Sequence, residues 1–482
     1  MSKKKLLFVC FDNYTDLSNG ASISTRELLL GLSESGWSVH TLCSDKLDVN
    51  VFASDAESKT NIFAAMANRG MQFISRAKNR SGERFSIENF RDSGIFSTLF
   101  LPENNTYPPP KPVGSIFLRL FQETLRSYKP DIVLTYGGDY LGISMLRLCQ
   151  MEGFPAAATI HNFAYEDAAY CKTADLIIVP SQFTADFYQQ KHGVKCVPLP
   201  PVMDKETLTW SREPEQRKYL TFINPELNKG ILWFTGIVHS LAQLRPDIPI
   251  LMVQGRSRWD WITETAVVFD KHPNLFGIGN TPYPQDFYAE TKAVIMPSLW
   301  RESFGRTAAE PMLNGIPIIA SNRGALPETI GDAGILLDIP EEYTPSSNMV
   351  PADKTVKPWV DAIIKVWDDK EYYDELSKRA LERSKRWHYD NVIKQYETVL
   401  NNAVNNKSRR RKQADESHDS YTYALVYSAQ KTDDKVLKTL NEFHTAENGG
   451  TAEENSSPAA VRPPIVNNKV NRPKICKIKF VD

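Results

Sequence analysis

Residues 296–338 decide the fold, and they read MPSLWRESFGRTAAEPMLNGIPIIASNRGALPETIGDAGILLD. The stretch begins at the end of an apolar run, 293–296, which is short enough to be a buried parallel strand. A polar turn leads into a helical run over 307–313, which ends before Gly315. A second apolar run, 318–320, predicts the next strand. This strand–loop–helix–strand unit predicts an open α/β sheet with its ligand loop at the carboxyl end of a strand.

Two acids, Glu302 and Glu310, mark this loop and helix. The backbone N–H groups of residues 304–307 would be the orphan donors of a helix N-terminus, which suits a diphosphate, and Gly305 lets an anion approach the backbone. A carboxylate at Glu310 suits a vicinal diol such as a ribose. Either acid alone is better explained as a capping or solvated residue. Together with the turn at 324–328, the two acids favour a binding site.

The frame formed by Pro297, Ser298, Glu302, Phe304, Gly305 and Glu310 resembles the donor-binding signature of the retaining glycosyltransferases of family 4, in the GT-B group. The signature is an acid, seven residues and a second acid. The resemblance extends over roughly residues 4–400. It implies that Glu310 holds the nucleotide ribose and that Glu302 meets the transferred sugar. The diphosphate would bind the backbone of Phe304, Gly305, Arg306 and Thr307.

One residue in this frame departs from the family, which usually has Ala after the second acid where Pro311 stands here. A proline is tolerated in a first helical turn, so a helix beginning near 306–308 would accommodate it.

The whole chain has the composition of an ordinary globular protein, with 482 residues, 41% of them hydrophobic and 24% charged. The length predicts two or three domains. A formal net charge of -1 gives no electrostatic support for nucleic-acid binding. The six cysteines are scattered, which favours a reducing compartment and argues against a structural zinc site. No run approaches the length of a membrane span, so we expect a cytoplasmic protein.

The first half opens with a βαβ pattern: a strand over 6–11, a polar loop over 12–20, a helix over 25–35 and a strand over 38–43. The loop lacks GxGxxG, which weakens a dehydrogenase interpretation. The resemblance places Gly20 and Ala21 in this loop, across the cleft from the donor phosphates. A simple turn at Gly20 explains it equally well.

Residues 44–115 show weak periodicity, and we predict short strands and loops that shape the acceptor site. Further on, an apolar run at 156–160 predicts a strand, so His161 lies at its carboxyl end. A lone histidine is more often an ordinary hydrogen-bonded residue. The resembled family has a histidine here that contacts the donor, which favours a functional role. Residues 174–181 match another family segment, a strand followed by a helix start.

A proline-rich stretch at 197–204 and a charged run at 211–218 predict an interdomain linker. After the strand at 219–223, the family usually carries an Arg and a Lys that neutralise the diphosphate. Lys229 matches the Lys. Asn224 or Pro225 stands at the Arg position, and Arg256 or Arg306 is a candidate replacement.

The predicted architecture is α/β, with two Rossmann-like doubly wound domains facing across a cleft. Residues 1–210 form the acceptor-side domain, completed by a crossover helix at 388–406, and 211–387 form the donor-side domain. Residues 407–482 form a mostly disordered polar tail with at most one helix, near 434–443. Its basic run at 407–412 could touch anionic lipid, although a solvated charge run is the more common case.

The predicted function is transfer of a sugar from a UDP-, GDP- or ADP-sugar to an acceptor hydroxyl. The resemblance implies retention of the anomeric configuration, with no metal and no other cofactor. The catalytic candidates are Glu302 and His161, and the acceptor is a glycan, a lipid-linked sugar or a small molecule. Two alternatives stay open. One is a UDP-sugar 2-epimerase on the same fold. The other is a degenerate transferase acting as a scaffold, and the missing Arg favours this alternative.

Overall fold

The computed structural model describes residues 3–16, 19–47, 71–76, 85–102, 108–203, 216–255, 273–281, 283–406 and 475–477. The chain divides into two compact units, and each is described by itself. The first unit comprises Met1–Val179, Ala185–Leu199 and Ile393–Val466, and the second comprises Pro180–Thr184, Pro200–Val392 and Asn467–Asp482. The predicted domain boundaries remain predictions, because residues 204–215 of the expected linker lie outside the described residues.

The first unit is built on a nine-stranded sheet with the order β3-β4-β5-β2-β1-β6-β7-β8-β9. The strands are β1 Lys5–Val9, β2 Ser38–Ser44, β3 Gln72–Arg76, β4 Phe85–Asp92, β5 Ile95–Pro102, β6 Ile132–Thr135, β7 Ala156–Thr159, β8 Leu176–Val179 and β9 Val197–Pro198. Strand β1 pairs in parallel with both β2 and β6. The chain order therefore reverses beside β1, and open α/β sheets bind ligands at such a switch point.

The described residues among 1–199 contain these helices: α1 Gly20–Glu34, α2 Lys111–Tyr128, α3 Tyr140–Glu152, α4 Ala168–Thr173 and α5 Gln182–His192. The apolar faces of α2 and α3 pack on β1 and its neighbours to form one buried core. The predicted helix start near residue 25 was wrong, because α1 begins at Gly20. The side chain of Asn19 caps the helix by accepting a hydrogen bond from the Ala21 N–H, which starts the helix earlier than its apolar periodicity indicates.

Residues 44–115 are predicted to form short strands and loops. Within this stretch, the structure describes a regular hairpin over residues 85–102. Strands β4 and β5 pair antiparallel along their whole length, and β5 also pairs in parallel with β2. The hairpin turns at Ser93 and Gly94, which both have positive φ, at 47° and 96°. A two-residue turn of that kind matches the right-handed twist of the strands it joins.

The second unit is built on a seven-stranded sheet with the order β15-β14-β13-β10-β11-β12-β16. Its strands are β10 Tyr219–Ile223, β11 Ile250–Val253, β12 Leu275–Ile278, β13 Thr291–Met296, β14 Ile318–Ser321, β15 Ile335–Leu337 and β16 Cys476–Lys477. Strands β10 to β15 pair in parallel, as the buried apolar runs predict. The chain order reverses again beside β10, which lies between β11 and β13.

The helices of this unit are α6 Ile231–Leu244, α7 Gln285–Tyr288, α8 Arg306–Met312, α9 Leu326–Ile330, α10 Asp353–Asp368 and α11 Lys370–Ser384, with a 3-10 turn at Leu227–Lys229. Helices α6 and α10 pack on one face of the sheet and bury Trp233 and Trp359. Pro311 is the sixth residue of α8 rather than part of its first turn. The helix ends one residue later, so few intrahelical bonds are lost.

A last helix, α12 Tyr389–Asn405, belongs from Ile393 onward to the first unit. Within that unit the Trp37 indole N–H donates to Glu397 Oε1 at 3.1 Å, and Lys4 bonds Asn401. Beyond residue 406, the predicted tail helix and basic run lie outside the described residues. The short strand β16 is described, and it pairs antiparallel with β12 as an edge strand of the second sheet.

Candidate functional site

The Glu302 carboxylate is held by two partners from separate segments. The Lys229 ammonium lies 2.7 Å from Glu302 Oε1, and the Ser298 hydroxyl donates to the same oxygen at 2.8 Å. The side chains of Lys229 and Glu302 are only 22% and 10% exposed. Lys229 ends the 3-10 turn after β10, and Ser298 follows β13. The ends of two adjacent parallel strands therefore deliver the cation and the acid to one place.

Two glycines allow this approach. Gly230, next to Lys229, has a φ of +79°, and a Cβ built there would lie 1.9 Å from the carbonyl oxygen of Pro297. Gly324 has a φ of +62°, and its Cβ would lie 2.4 Å from the Glu302 carbonyl oxygen and 2.5 Å from its nitrogen. The Ala325 N–H donates to that carbonyl at 2.8 Å. The Gly324 contact fixes the backbone of Glu302, and the Gly230 contact holds the Lys229 turn against the residue that follows β13. Only glycine fits at either contact.

The turn between the two acids is also built on a glycine. Gly305 is the N-cap of α8 with a φ of +90°, and its Cβ would lie 2.5 Å from Leu326 Cδ2. Among the described residues, none accepts a hydrogen bond from the backbone N–H of Phe304 or Gly305. Both residues are buried. Unpaired N–H groups at such a turn are suited to an anionic ligand.

Glu310 is engaged at both carboxylate oxygens. Arg306 Nε donates to Oε1 at 2.9 Å, and the Tyr288 hydroxyl donates to Oε2 at 3.2 Å. Arg306 also donates to the Val202 carbonyl at 3.1 Å. Burial, followed by the nearby Glu310 charge, raises the pKa of Tyr288 well above its usual range, so the phenol stays a donor. Sequence reasoning missed Tyr288, which lies in the short helix α7 before β13.

The first-unit candidates lie around a buried tyrosine, Tyr136, at the end of β6. Its hydroxyl lies 3.1 Å from the Ser22 hydroxyl in the first turn of α1, close to Gly20 and Ala21. The His161 ring follows β7 and meets the Tyr136 ring edge-on, with 5.5 Å between ring centroids. Tyr136 therefore joins the N-terminus of α1 to His161. Sequence reasoning missed this residue, whose pKa is raised above its ordinary value by burial.

The resemblance places the missing family Arg at position 224 or 225, and the backbone at the first of these positions disfavours an arginine. Asn224 adopts a left-handed conformation with a φ of 61°, which asparagine tolerates better than arginine. A Cβ at Gly255 would lie 2.6 Å from the Asn224 side-chain oxygen, so the amide occupies the space beside that glycine. Of the two candidate replacements, Arg256 lies outside the described residues, and Arg306 is paired with Glu310.

The structure thus brings together Lys229 with Glu302, and Arg306 with Glu310. Thr307 follows Arg306 in the first turn of α8 and is half-buried. His161, Gly20 and Ala21 lie in the first unit and are grouped by Tyr136. Within the described ranges, no group of three or more His, Cys, Asp or Glu side chains could hold a metal ion.

Two protein-family profiles match successive parts of the chain. Residues 18–206 match Glycosyltransferase Family 4, and residues 214–383 match Glycosyl transferases group 1. The chain belongs to the glycosyltransferases of the GT-B fold class, as the acid–turn–acid frame predicts. The predicted α/β fold class is confirmed by the same comparisons and by the two sheets.

Sequence and structure relatives agree with this assignment. O-antigen chain mannosyltransferase B of Escherichia coli is 26% identical over 178 residues, which cover 34% of this chain and 42% of that protein. A glycosyltransferase from Rickettsia africae superposes with a TM-score of 0.59 at 14% identity, over 84% of this chain and 100% of that chain. Anabaena HepE, solved in complex with UDP-glucose, superposes with a TM-score of 0.57 at 16% identity. The superposition covers 83% of this chain and 99% of that chain.

Proposed function

We propose that the protein transfers a sugar from a nucleotide-diphosphate sugar to the hydroxyl group of an acceptor. The observation that carries this proposal is the pair of acid–cation contacts, Lys229 with Glu302 and Arg306 with Glu310, on either side of the buried Gly305 turn. A nucleotide sugar offers, in order, a ribose diol, a diphosphate and a sugar. The site offers, in order, a carboxylate, backbone N–H groups with a lysine, and a second carboxylate.

In this proposal Glu310 accepts hydrogen bonds from the ribose hydroxyls, with Arg306 and Tyr288 holding the carboxylate in place. Lys229 and the N–H groups of Phe304 and Gly305 stabilise the diphosphate. Charge on the departing diphosphate grows as the glycosidic bond breaks, so donors already aimed at it lower the barrier. Thr307 extends the same row of backbone donors, and Gly20 and Ala21 are proposed to face the diphosphate as well.

Glu302 is proposed to contact the transferred sugar, and His161 to contact that sugar or its phosphate. The acceptor hydroxyl attacks from the face that the diphosphate leaves, so the anomeric configuration is retained. A phosphate oxygen takes the hydroxyl proton, and no protein side chain is assigned as the general base. The contacts of Glu302 with Lys229 and Ser298 support this role, because they fix the orientation of the carboxylate.

The acceptor is proposed to be a glycan, since the Escherichia coli relative is an O-antigen chain mannosyltransferase. The donor is proposed to be a nucleotide sugar of the kind bound to Anabaena HepE. No helix in the described part of the chain combines the length and apolar character needed to cross a bilayer. A peripheral membrane contact through the basic run at 407–412 and a cytoplasmic location are proposals that rest on sequence.

The activity is tested by incubating the protein with UDP-glucose, GDP-mannose or ADP-glucose, with and without a mixture of oligosaccharide acceptors. We expect release of the nucleoside diphosphate from one donor, faster with acceptors present, and a product heavier by one hexose in mass spectrometry. Glu302→Gln should abolish the product while the protein stays folded.

Other outcomes favour the alternatives. A new UDP-sugar formed without any acceptor would indicate an epimerase. Binding without turnover, or no binding of any donor, would contradict the transferase proposal and favour a scaffold.

A further inference from the structure

The backbone carbonyls of residues 302–304, in the loop between β13 and α8, each accept hydrogen bonds from residues outside this loop. The contacts are Ala325 N–H to Glu302 O at 2.8 Å, Ser181 and Thr184 hydroxyls to Ser303 O at 2.6 and 3.0 Å, and the Thr329 hydroxyl to Phe304 O at 2.6 Å. The middle carbonyl receives two donors. Both come from the first residues of α5 and the turn before it, far away in sequence.

The two hydroxyls are buried and locked together. Ser181 is 3% exposed and Thr184 is fully buried, and the Thr184 N–H donates to the Ser181 hydroxyl oxygen at 3.1 Å. Residues 180–184 belong to the second unit with the loop they contact. A buried hydroxyl without an acceptor is costly, so this pair has a strong preference for the Ser303 carbonyl.

Glu328 fixes the same helix start from the other side. Its two carboxylate oxygens accept hydrogen bonds from the backbone N–H groups of Gln182 and Phe183, both at 2.8 Å. Arg383 in turn donates to the Thr329 carbonyl at 3.0 Å. The start of α5 is therefore anchored to α9, and its hydroxyls are held at a defined place.

We infer that Ser181 and Thr184 are positioning residues for donor binding, acting through the Ser303 carbonyl. In a trans peptide the C=O and the following N–H point in opposite directions. Two hydroxyls that fix the direction of the Ser303 carbonyl thereby fix the direction of the Phe304 N–H. That N–H is the donor assigned above to the diphosphate, so the inference rests on the proposed function. It assigns a role to residues that lie about 120 positions before the loop.

The test compares Ser181→Ala and Thr184→Val with Ser181→Thr and Thr184→Ser, which keep a hydroxyl. Thr235→Val is the matched control, because Thr235 is also fully buried and its hydroxyl donates to a carbonyl at 2.9 Å, but within α6. The affinity for UDP-glucose, GDP-mannose and ADP-glucose is measured by calorimetry, and the melting temperature by circular dichroism. We expect the donor that binds wild type to bind about tenfold more weakly to Ser181→Ala/Thr184→Val.

The hydroxyl-keeping variants should bind within about twofold of wild type, and Thr235→Val should lose melting temperature without losing affinity. Where acceptor turnover is measurable, the donor KM should rise more than kcat falls. Equal affinity of Ser181→Ala/Thr184→Val and wild type would overturn the inference and leave the proposed function standing. Failure of wild type to bind any of the three donors would instead overturn the proposed function.

Discussion

Lys229→Met is expected to lower kcat/KM for the nucleotide-sugar donor by about 100-fold or more. Lys229 lies 2.7 Å from the Glu302 carboxylate and is the lysine proposed to stabilise the diphosphate. Removing it withdraws a positive charge from the place where negative charge develops. It also leaves a mostly buried carboxylate whose one remaining hydrogen-bond partner among the described residues is the Ser298 hydroxyl, which raises the cost of bringing an anion close.

The measurement is steady-state kinetics on the donor identified by the release assay, alongside circular dichroism to confirm folding. Lys218→Met is the matched control: it removes a lysine of the same unit that pairs with Glu290 at 3.0 Å but is 56% exposed. We expect the control to stay within about twofold of wild type, because exposed pairs contribute little. Equal activity of Lys229→Met and wild type would exclude Lys229 from the donor site.

Gly230→Ala is expected to lower the free energy of unfolding by about 3 kcal/mol and to weaken donor binding by more than tenfold. The added Cβ brings two penalties. An alanine at a φ of +79° is strained, and its Cβ would lie 1.9 Å from the Pro297 carbonyl oxygen, so the end of β13 must move. That movement displaces Ser298 and separates Lys229 from Glu302.

Gly193→Ala isolates the first penalty, the backbone strain, so the difference between the two variants measures the second. Gly193 also has a positive φ, +67°, but a Cβ there meets nothing within 4 Å, so only the backbone strain of about 1 kcal/mol is expected. Chemical denaturation of both variants gives the comparison. Should the two glycines prove equally tolerant of alanine, the close packing of Gly230 on β13 would not contribute to the site.

The charge balance of the site explains why backbone donors carry so much of the proposed binding. The two described cations, Lys229 and Arg306, are each paired with a carboxylate, so each pair is formally neutral. Asn224 or Pro225 stands where the resembled family usually has a further Arg. In the proposed function, a diphosphate at such a site would therefore depend more heavily on the N–H groups of Phe304 and Gly305, and hence on the contacts that orient them.

Much of the fold could be predicted because its parallel strands are short apolar runs separated by polar turns. The runs at 219–223 and 318–320 reappear as β10 and β14, and the frame around Glu302 and Glu310 predicted the family. Interactions that depend on distant residues could not be predicted this way. Tyr288 bonds Glu310 from a different helix, and Ser181 reaches Ser303 across 122 positions.

Three other features that were not predicted have local causes in the sequence. The early start of α1 follows from the Asn19 cap, which apolar periodicity does not register. The β4–β5 hairpin turns at the dipeptide Ser93-Gly94, a sequence that marks turns. The edge strand β16 lies in a tail of polar composition, although Ile475, Cys476 and Ile478 alternate imperfectly with lysines near the end of the chain.

The central claim is that a nucleotide sugar binds at Glu310 and the Gly305 turn, and thermal unfolding with added UDP-glucose, GDP-mannose or ADP-glucose tests it most directly. Ligand at about 100 times its Kd should raise the melting temperature of wild type by about 5 °C, by mass action. Glu310→Ala should lose that shift, whereas Glu290→Ala, an acid of the same unit outside the site, should keep it. No shift with any donor at millimolar concentration, or an undiminished shift in Glu310→Ala, would contradict the account.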